Sequence, residues 1–172
     1  SLKKYPVETE VIFASKALSV VGVLQIINQE GLGIDVVSGG ELYAAIKAGF
    51  PNKKIYFHGN NKSEQEIIQA LESDIGYFVV DNLTELELID KQAKRLSRTA
   101  SILLRVTPGI EAHTHEYIHT GQLDSKFGIL SDQIINAIKV ALTKKNIQFE
   151  GLHAHIGSQI LETKPFSLAA EV

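Results

Sequence analysis

The 172-residue chain contains no cysteine, no methionine and no tryptophan. Without cysteine, disulfides, thiolate nucleophiles and zinc–thiolate sites are excluded, and a reducing compartment such as the cytoplasm is the natural expectation. Without methionine, the opening "SLKKYP" carries no initiator. The closing "KPFSLAAEV" stops inside an incipient helix, so both ends read as cuts in a longer protein. An excess of positive charge is also missing: 17 Lys and Arg against 20 Asp and Glu give a net charge of −3. That supplies no field for gathering polyphosphate and speaks against a nucleic-acid partner. Apolar runs of about 18 residues are absent too, as is a charged-then-apolar leader, which speaks against membrane insertion and a signal peptide.

What is present is an ordinary globular composition, 44% hydrophobic and 22% charged. Short runs rich in Val, Ile and Phe fall at Val11–Ala14, Ile34–Val37, Ile55–Phe57, Gly76–Val80, Ile102–Val106 and Phe149–Ala154. Helical spacing of apolar residues fills the stretches Val20–Gln29, Glu41–Ala48, Glu64–Glu72, Thr84–Leu96 and Asp132–Lys144. Ser63 and Glu66 fit a capping box, Ser131 or Asp132 can cap the fifth helix, and Gly31 and Gly49 stand where two helices should stop. Apolar strands alternating with helices predict an α/β fold with a parallel sheet. An open doubly wound sheet and a (β/α)8 barrel both satisfy this pattern. An open sheet usually shows a glycine-rich phosphate turn after its first strand, and "SKALSV" has none, so the barrel is favoured, with about six of its eight βα units here. Closure geometry then predicts that this piece alone leaves strand edges exposed and associates or aggregates.

Each predicted strand ends in a polar or charged residue: Lys16, Asp35, His58, Asp81, Arg105 and His155. The first five are 19, 23, 23 and 24 residues apart, and His155 follows after 50, across the long stretch "GIEAHTHEYIHTGQLDSKFG". Strand C-termini of a barrel converge on one mouth, so the spacing builds a site. Strand ends also meet solvent, and Lys16 by its position alone reads as a snorkelling strand-end lysine. His153 and His155 alternate along one run and His113, His115 and His119 precede them, but no acidic or thiolate partner completes a tetrahedral set, so no metal site is expected.

In order along the chain stand "FASKAL", "GIDVVSGGEL", "IYFHGNNKS", "LLRVTPG", "TGQLDSKFGI" and "GLHAHIGSQI". Together these resemble the fold-type III pyridoxal-phosphate decarboxylases over essentially the whole chain. The resemblance implies a TIM barrel of the alanine-racemase-like type, with residues 1–172 as the incomplete cofactor-binding barrel domain. It also implies a later β-domain, dimeric assembly and pyridoxal 5'-phosphate as cofactor. Lys16 then matches the lysine that holds the cofactor covalently, with Phe13 where the family usually has tyrosine. An amine attacks an aldehyde only when uncharged, which partial burial would favour. His155 matches the histidine stacked on the cofactor ring, and Gly157 and Ser158 match phosphate contacts. Asp35, His58 and Arg105 are carried over as residues near the cofactor, with Glu41 and Asn60 beside them; for Arg105, simple neutralisation of Asp81 is an equal reading. Lys126 matches a loop near the dimer interface or is merely solvated. The flavour of "SGGEL", "HGNNKS" and "HIGSQI" is that of the branch decarboxylating meso-2,6-diaminopimelate to L-lysine and CO2, the last step of lysine biosynthesis. Ornithine- or arginine-type decarboxylation and a non-catalytic cofactor-binding barrel are the alternatives. The piece alone is expected to be inactive.

Overall fold

The computed structural model describes residues 7–108, 127–157 and 160–171. They fall into two compact units, Ser1–Phe78 and Val79–Val172. In the first unit the order is β1 (Ile12–Ala14), α1 (Val21–Gln29), β2 (Gly33–Val36), α2 (Gly39–Lys47), β3 (Ile55–Phe57), α3 (Glu64–Glu72) and the start of β4 (Tyr77–Val80). The second holds the end of β4, then α4 (Leu83–Arg95), β5 (Ala100–Thr107), β6 (Ile129–Leu130), α5 (Ile134–Thr143), β7 (Ile147–Ala154) and α6 (Lys164–Glu171).

Within the first unit all strand pairs are parallel. β1 meets β2 with Ala14 opposite Asp35, β2 meets β3 with Asp35 opposite Tyr56, and β3 meets β4 with Tyr56 opposite Tyr77. Because side chains alternate along a strand, this register sorts the residues by face. Ile34, Val36, Ile55, Phe57 and Phe78 share the buried face, where Leu24, Leu42, Ala45, Ile67 and Ala70 of the helices also lie buried. Each large aliphatic or aromatic side chain so buried stabilises by about 1.5–3 kcal/mol before entropy is counted. The other face carries Asp35, Tyr56 and Tyr77, the two rings stacked with centroids 4.7 Å apart. The apolar runs read from the sequence are thus apolar on one face of these strands, and the other face is polar.

Helix starts are chemically explicit. Ser38 caps α2 by accepting from the Glu41 N–H, Asn82 caps α4 by accepting from the Glu85 N–H, and Ser63 and Glu66 form the predicted capping box of α3. The fifth helix differs from its expectation: its N-cap is Gln133, with no side-chain cap bond, so neither Ser131 nor Asp132 has that role. Gly49 ends α2 as predicted. At φ +85° its N–H reaches the Ile46 carbonyl while Phe50 N–H reaches Ala45, the double closure that a left-handed residue permits. Gly76 serves a different need. A Cβ there would stand 2.3 Å from the Lys53 carbonyl oxygen, so only glycine lets the two backbones meet.

In the second unit β5 pairs in parallel with β6 and with β7. β6, only two residues long, was not anticipated from the sequence. Ala100, Ile102 and Leu104 of β5 are buried with Leu86, Ile89 and Ala93 of α4. Along β7 the register slips once: Ile102 faces Phe149 but Leu103 faces Gly151, leaving Glu150 as an extra residue. The slip has a consequence. Arg105 is three residues on from Ile102 and in a regular ladder would face Leu152; with Glu150 inserted it faces His153.

Candidate functional site

Each unit carries its own cluster of candidate residues toward its strand C-termini. In the first, β1 hands over directly to a single 3-10 turn, Ser15–Ala17, that carries Lys16. Lys16 is exposed, so the expected partial burial is not found. Its neighbour Ser15 is fully buried. The Ser15 hydroxyl donates to Glu41 Oε2, and the same carboxylate oxygen accepts the Val37 N–H at 3.0 Å. Glu41 thereby ties the lysine turn to the turn that opens α2.

Asp35 and His58 come together, as residues two apart in facing register should. His58 follows β3, donates its N–H to the Val36 carbonyl at 2.7 Å, and brings Nε2 to 2.7 Å from Asp35 Oδ1. Both side chains are largely buried, which strengthens a polar contact relative to one in water. The loop after His58 is held from within: Gly59 takes φ +104°, and Lys62, a buried lysine, donates to the Gly59 carbonyl and lies over the Phe57 ring.

The backbone amide that opens α2 is already used. Gly39 N–H donates to Glu66 Oε1 at 2.8 Å. Burial alone would raise the Glu66 pKa; the bonds from Gly39 and Ser63 and the charge of Lys62 outweigh it and hold the carboxyl below its ordinary value. A carboxylate at this helix start takes the place an anionic ligand would need.

In the second unit Arg105 Nη1 lies 3.0 Å from Asp81 Oδ1, with Asp81 buried, so the neutralising pair expected as one reading of Arg105 is formed. The guanidinium also lies 5.2 Å from the Phe127 ring centroid. Asp81 N–H donates to Glu85 Oε2, repeating at α4 the device that Glu41 provides at α2. His153 stands beside Arg105 in the ladder, and His155 follows the end of β7 exposed to solvent. Gly157 takes φ +130°, a backbone conformation open to glycine. Ser158 lies outside the described residues, as do Lys126, His113, His115 and His119.

Sequence reasoning missed three participants. Ser15 was legible only as a small residue beside a lysine, Glu66 only as a capping residue of its own helix, and Lys62 only as one letter of a motif. Ser15 and Glu66 act on partners 26 and 27 residues away on another element, which no local pattern reveals, and Lys62 acts on Gly59 within its own loop.

Comparison with known proteins gives the chemistry a family. Residues 1–172 match the family model described as "Pyridoxal-dependent decarboxylase, pyridoxal binding domain". The chain belongs to this family. The diaminopimelate decarboxylase of Bacillus methanolicus is 54% identical over 166 residues, covering 95% of this chain and 38% of the relative. That of Bacillus subtilis (strain 168) is 52% identical over 166 residues, again with 95% and 38% covered. Among solved structures, the diaminopimelate decarboxylase of Helicobacter pylori complexed with L-lysine superposes with a TM-score of 0.90 at 34% identity, covering 98% of this chain and 43% of that one. The chain thus spans about two fifths of the length of the curated relatives it matches.

Pyridoxal phosphate is the cofactor this domain binds. The fold class is the α/β barrel of the family, six strand–helix units of it being present among the described residues. The donor set fits such a cofactor. An exposed primary amine on a turn suits a bond to an aldehyde, a histidine after β7 offers an aromatic face, and a glycine of permissive φ offers close backbone approach to an anion. No helix among the described residues is long and apolar enough to cross a membrane.

Proposed function

We propose that this chain is the cofactor-binding barrel domain of an enzyme that decarboxylates meso-2,6-diaminopimelate to L-lysine and CO2, the last step of lysine biosynthesis. The observation that carries the reading is Lys16, exposed on the turn directly after β1, in a chain matching the pyridoxal binding domain along its whole length. The two Bacillus relatives named above support the substrate, and the L-lysine held by the Helicobacter pylori protein is the product such a reaction releases.

Pyridoxal phosphate, when bound, supplies an electron sink for the electron pair left as a carboxylate departs. The protein's part is to hold and orient. Lys16 would hold the cofactor through its amine, and His155 would offer its imidazole as an aromatic partner. Gly157 would offer its backbone N–H to the phosphate, and Ser158, outside the described residues, would offer its hydroxyl. Asp35 and His58, in contact at 2.7 Å, would form a polar wall beside the cofactor. Arg105, balanced by Asp81, keeps its guanidinium fixed and presents a positive edge without an unpaired charge. The whole protein works as a homodimer in the cytoplasm, with a small amino acid as its substrate and neither nucleic acid nor membrane as partner.

The test is an absorbance spectrum of the full-length protein followed by product assay. A band near the visible edge, lost on borohydride treatment and absent from Lys16→Ala, is expected, together with CO2 release from diaminopimelate in preference to ornithine or arginine. A borohydride-resistant spectrum would sink the lysine assignment; release from ornithine alone would sink the substrate.

A further inference from the structure

The turn that carries Lys16 is a poor platform by itself. It is one 3-10 turn with no capping side chain, and the lysine upon it is exposed, with a long flexible stem. What restrains it is the preceding residue. The Ser15 carbonyl accepts the Leu18 N–H at 2.9 Å and the Ser19 hydroxyl at 2.7 Å, so both ends of the turn are closed onto one oxygen. The Ser15 hydroxyl, fully buried, donates to Glu41 Oε2. Hydrogen bonds to a carboxylate are about twice as strong as neutral ones, and burial removes the competing water.

Glu41 does two things with that oxygen. Accepting the Val37 N–H is a helix-start device, which Glu85 repeats with Asp81 at α4. Accepting the Ser15 hydroxyl is the half that reaches the lysine turn. Val37 follows Val36, whose carbonyl takes the His58 N–H. A connected set of hydrogen bonds therefore links the ends of β1, β2 and β3, with Ser15 as its contact to the lysine. We propose that Ser15, acting through Glu41, is a positioning residue that fixes the turn from which the Lys16 amine reaches the cofactor aldehyde. This rests on the role proposed for Lys16.

The experiment separates attachment from binding. Full-length apoprotein is mixed with pyridoxal phosphate, and the return of the borohydride-sensitive band gives the attachment rate. Non-covalent affinity is read by fluorescence quenching in Lys16→Ala and in Lys16→Ala combined with Ser15→Ala. A positioning role makes Ser15→Ala attach about tenfold or more slowly, while the two Lys16→Ala proteins bind the cofactor equally. Glu41→Gln, which keeps the shape of the side chain, is expected to slow attachment as well and serves where Ser15→Ala fails to fold. Attachment at the parental rate in the folded variant overturns the inference. So does a loss of non-covalent affinity equal to the loss of rate, which is what a merely structural serine would give. A parent protein with no borohydride-sensitive band overturns the Lys16 assignment itself, before Ser15 is changed.

Discussion

Tyr56 illustrates how a single side chain can couple the sheet to pH. Its hydroxyl donates to Glu10 Oε2 at 2.7 Å while its ring stacks on Tyr77. Burial, then the hydrogen bond to Glu10 and the negative charge behind it, push the phenol well above the ordinary tyrosine value. A raised folded pKa means the fold prefers the protonated phenol. That contribution is complete below the unfolded value of about 10 and is lost as pH rises through the folded one. Tyr56→Phe removes the hydroxyl and leaves Glu10 to water and to Lys54, whose ammonium lies 3.6 Å away. The expected cost at neutral pH is about 1 kcal/mol, with a shallower fall in stability above about pH 10. Urea unfolding of the full-length protein at neutral and alkaline pH measures both; identical alkaline slopes for parent and variant would contradict the assignment.

At the scale of elements, Glu66 joins two helices, capping α3 through Ser63 and receiving the Gly39 N–H of α2. Its folded pKa is lowered, so its contribution is present above the unfolded glutamate value and disappears as pH falls through the folded one. Glu66→Gln should cost roughly 1 kcal/mol at neutral pH. The difference from the parent should vanish only once pH has fallen below the folded value, itself below the ordinary glutamate range, where the parental carboxyl is protonated. Stability curves at the two pH values check the sign, and a difference that persists in acid would show that charge is not the cause.

These elements also show what sequence can and cannot disclose. β3 and α3 lie at their expected residues because a three-residue apolar run and a capping box are local signals. The fifth helix begins later than Asp132, at Ile134, after Gln133, whose side chain makes no cap bond, so a polar residue near a helix start did not suffice to mark the cap. β6 is two residues long and exists through its pairing with β5, which leaves no periodicity to read. The bulge at Glu150 is likewise a property of two strands at once. Asp35 and His58 could be nominated from their spacing, but their 2.7 Å contact needed the register of β2 on β3. Ser15 escaped notice because its partner, Glu41, stands 26 residues away on another element.

For the whole molecule, the cofactor is itself a term in stability. A ligand that binds only the folded state stabilises it by RT ln(1 + [L]/Kd), about 2.7 kcal/mol at a hundredfold excess over Kd. A covalent bond from Lys16 lowers the effective dissociation constant further, because detaching the cofactor then requires breaking the bond as well as the contacts. Pyridoxal phosphate should therefore raise the melting temperature of the full-length parent by several degrees. It should raise that of Lys16→Ala by less, the remainder reflecting non-covalent contacts alone, those proposed for His155 and Gly157 among them. Differential scanning fluorimetry over a series of cofactor concentrations gives the comparison. An equal gain in both proteins means that the amine on the β1 turn adds nothing to the hold on the cofactor. In that case Lys16 is what its position alone suggests, a solvated lysine at the end of a strand.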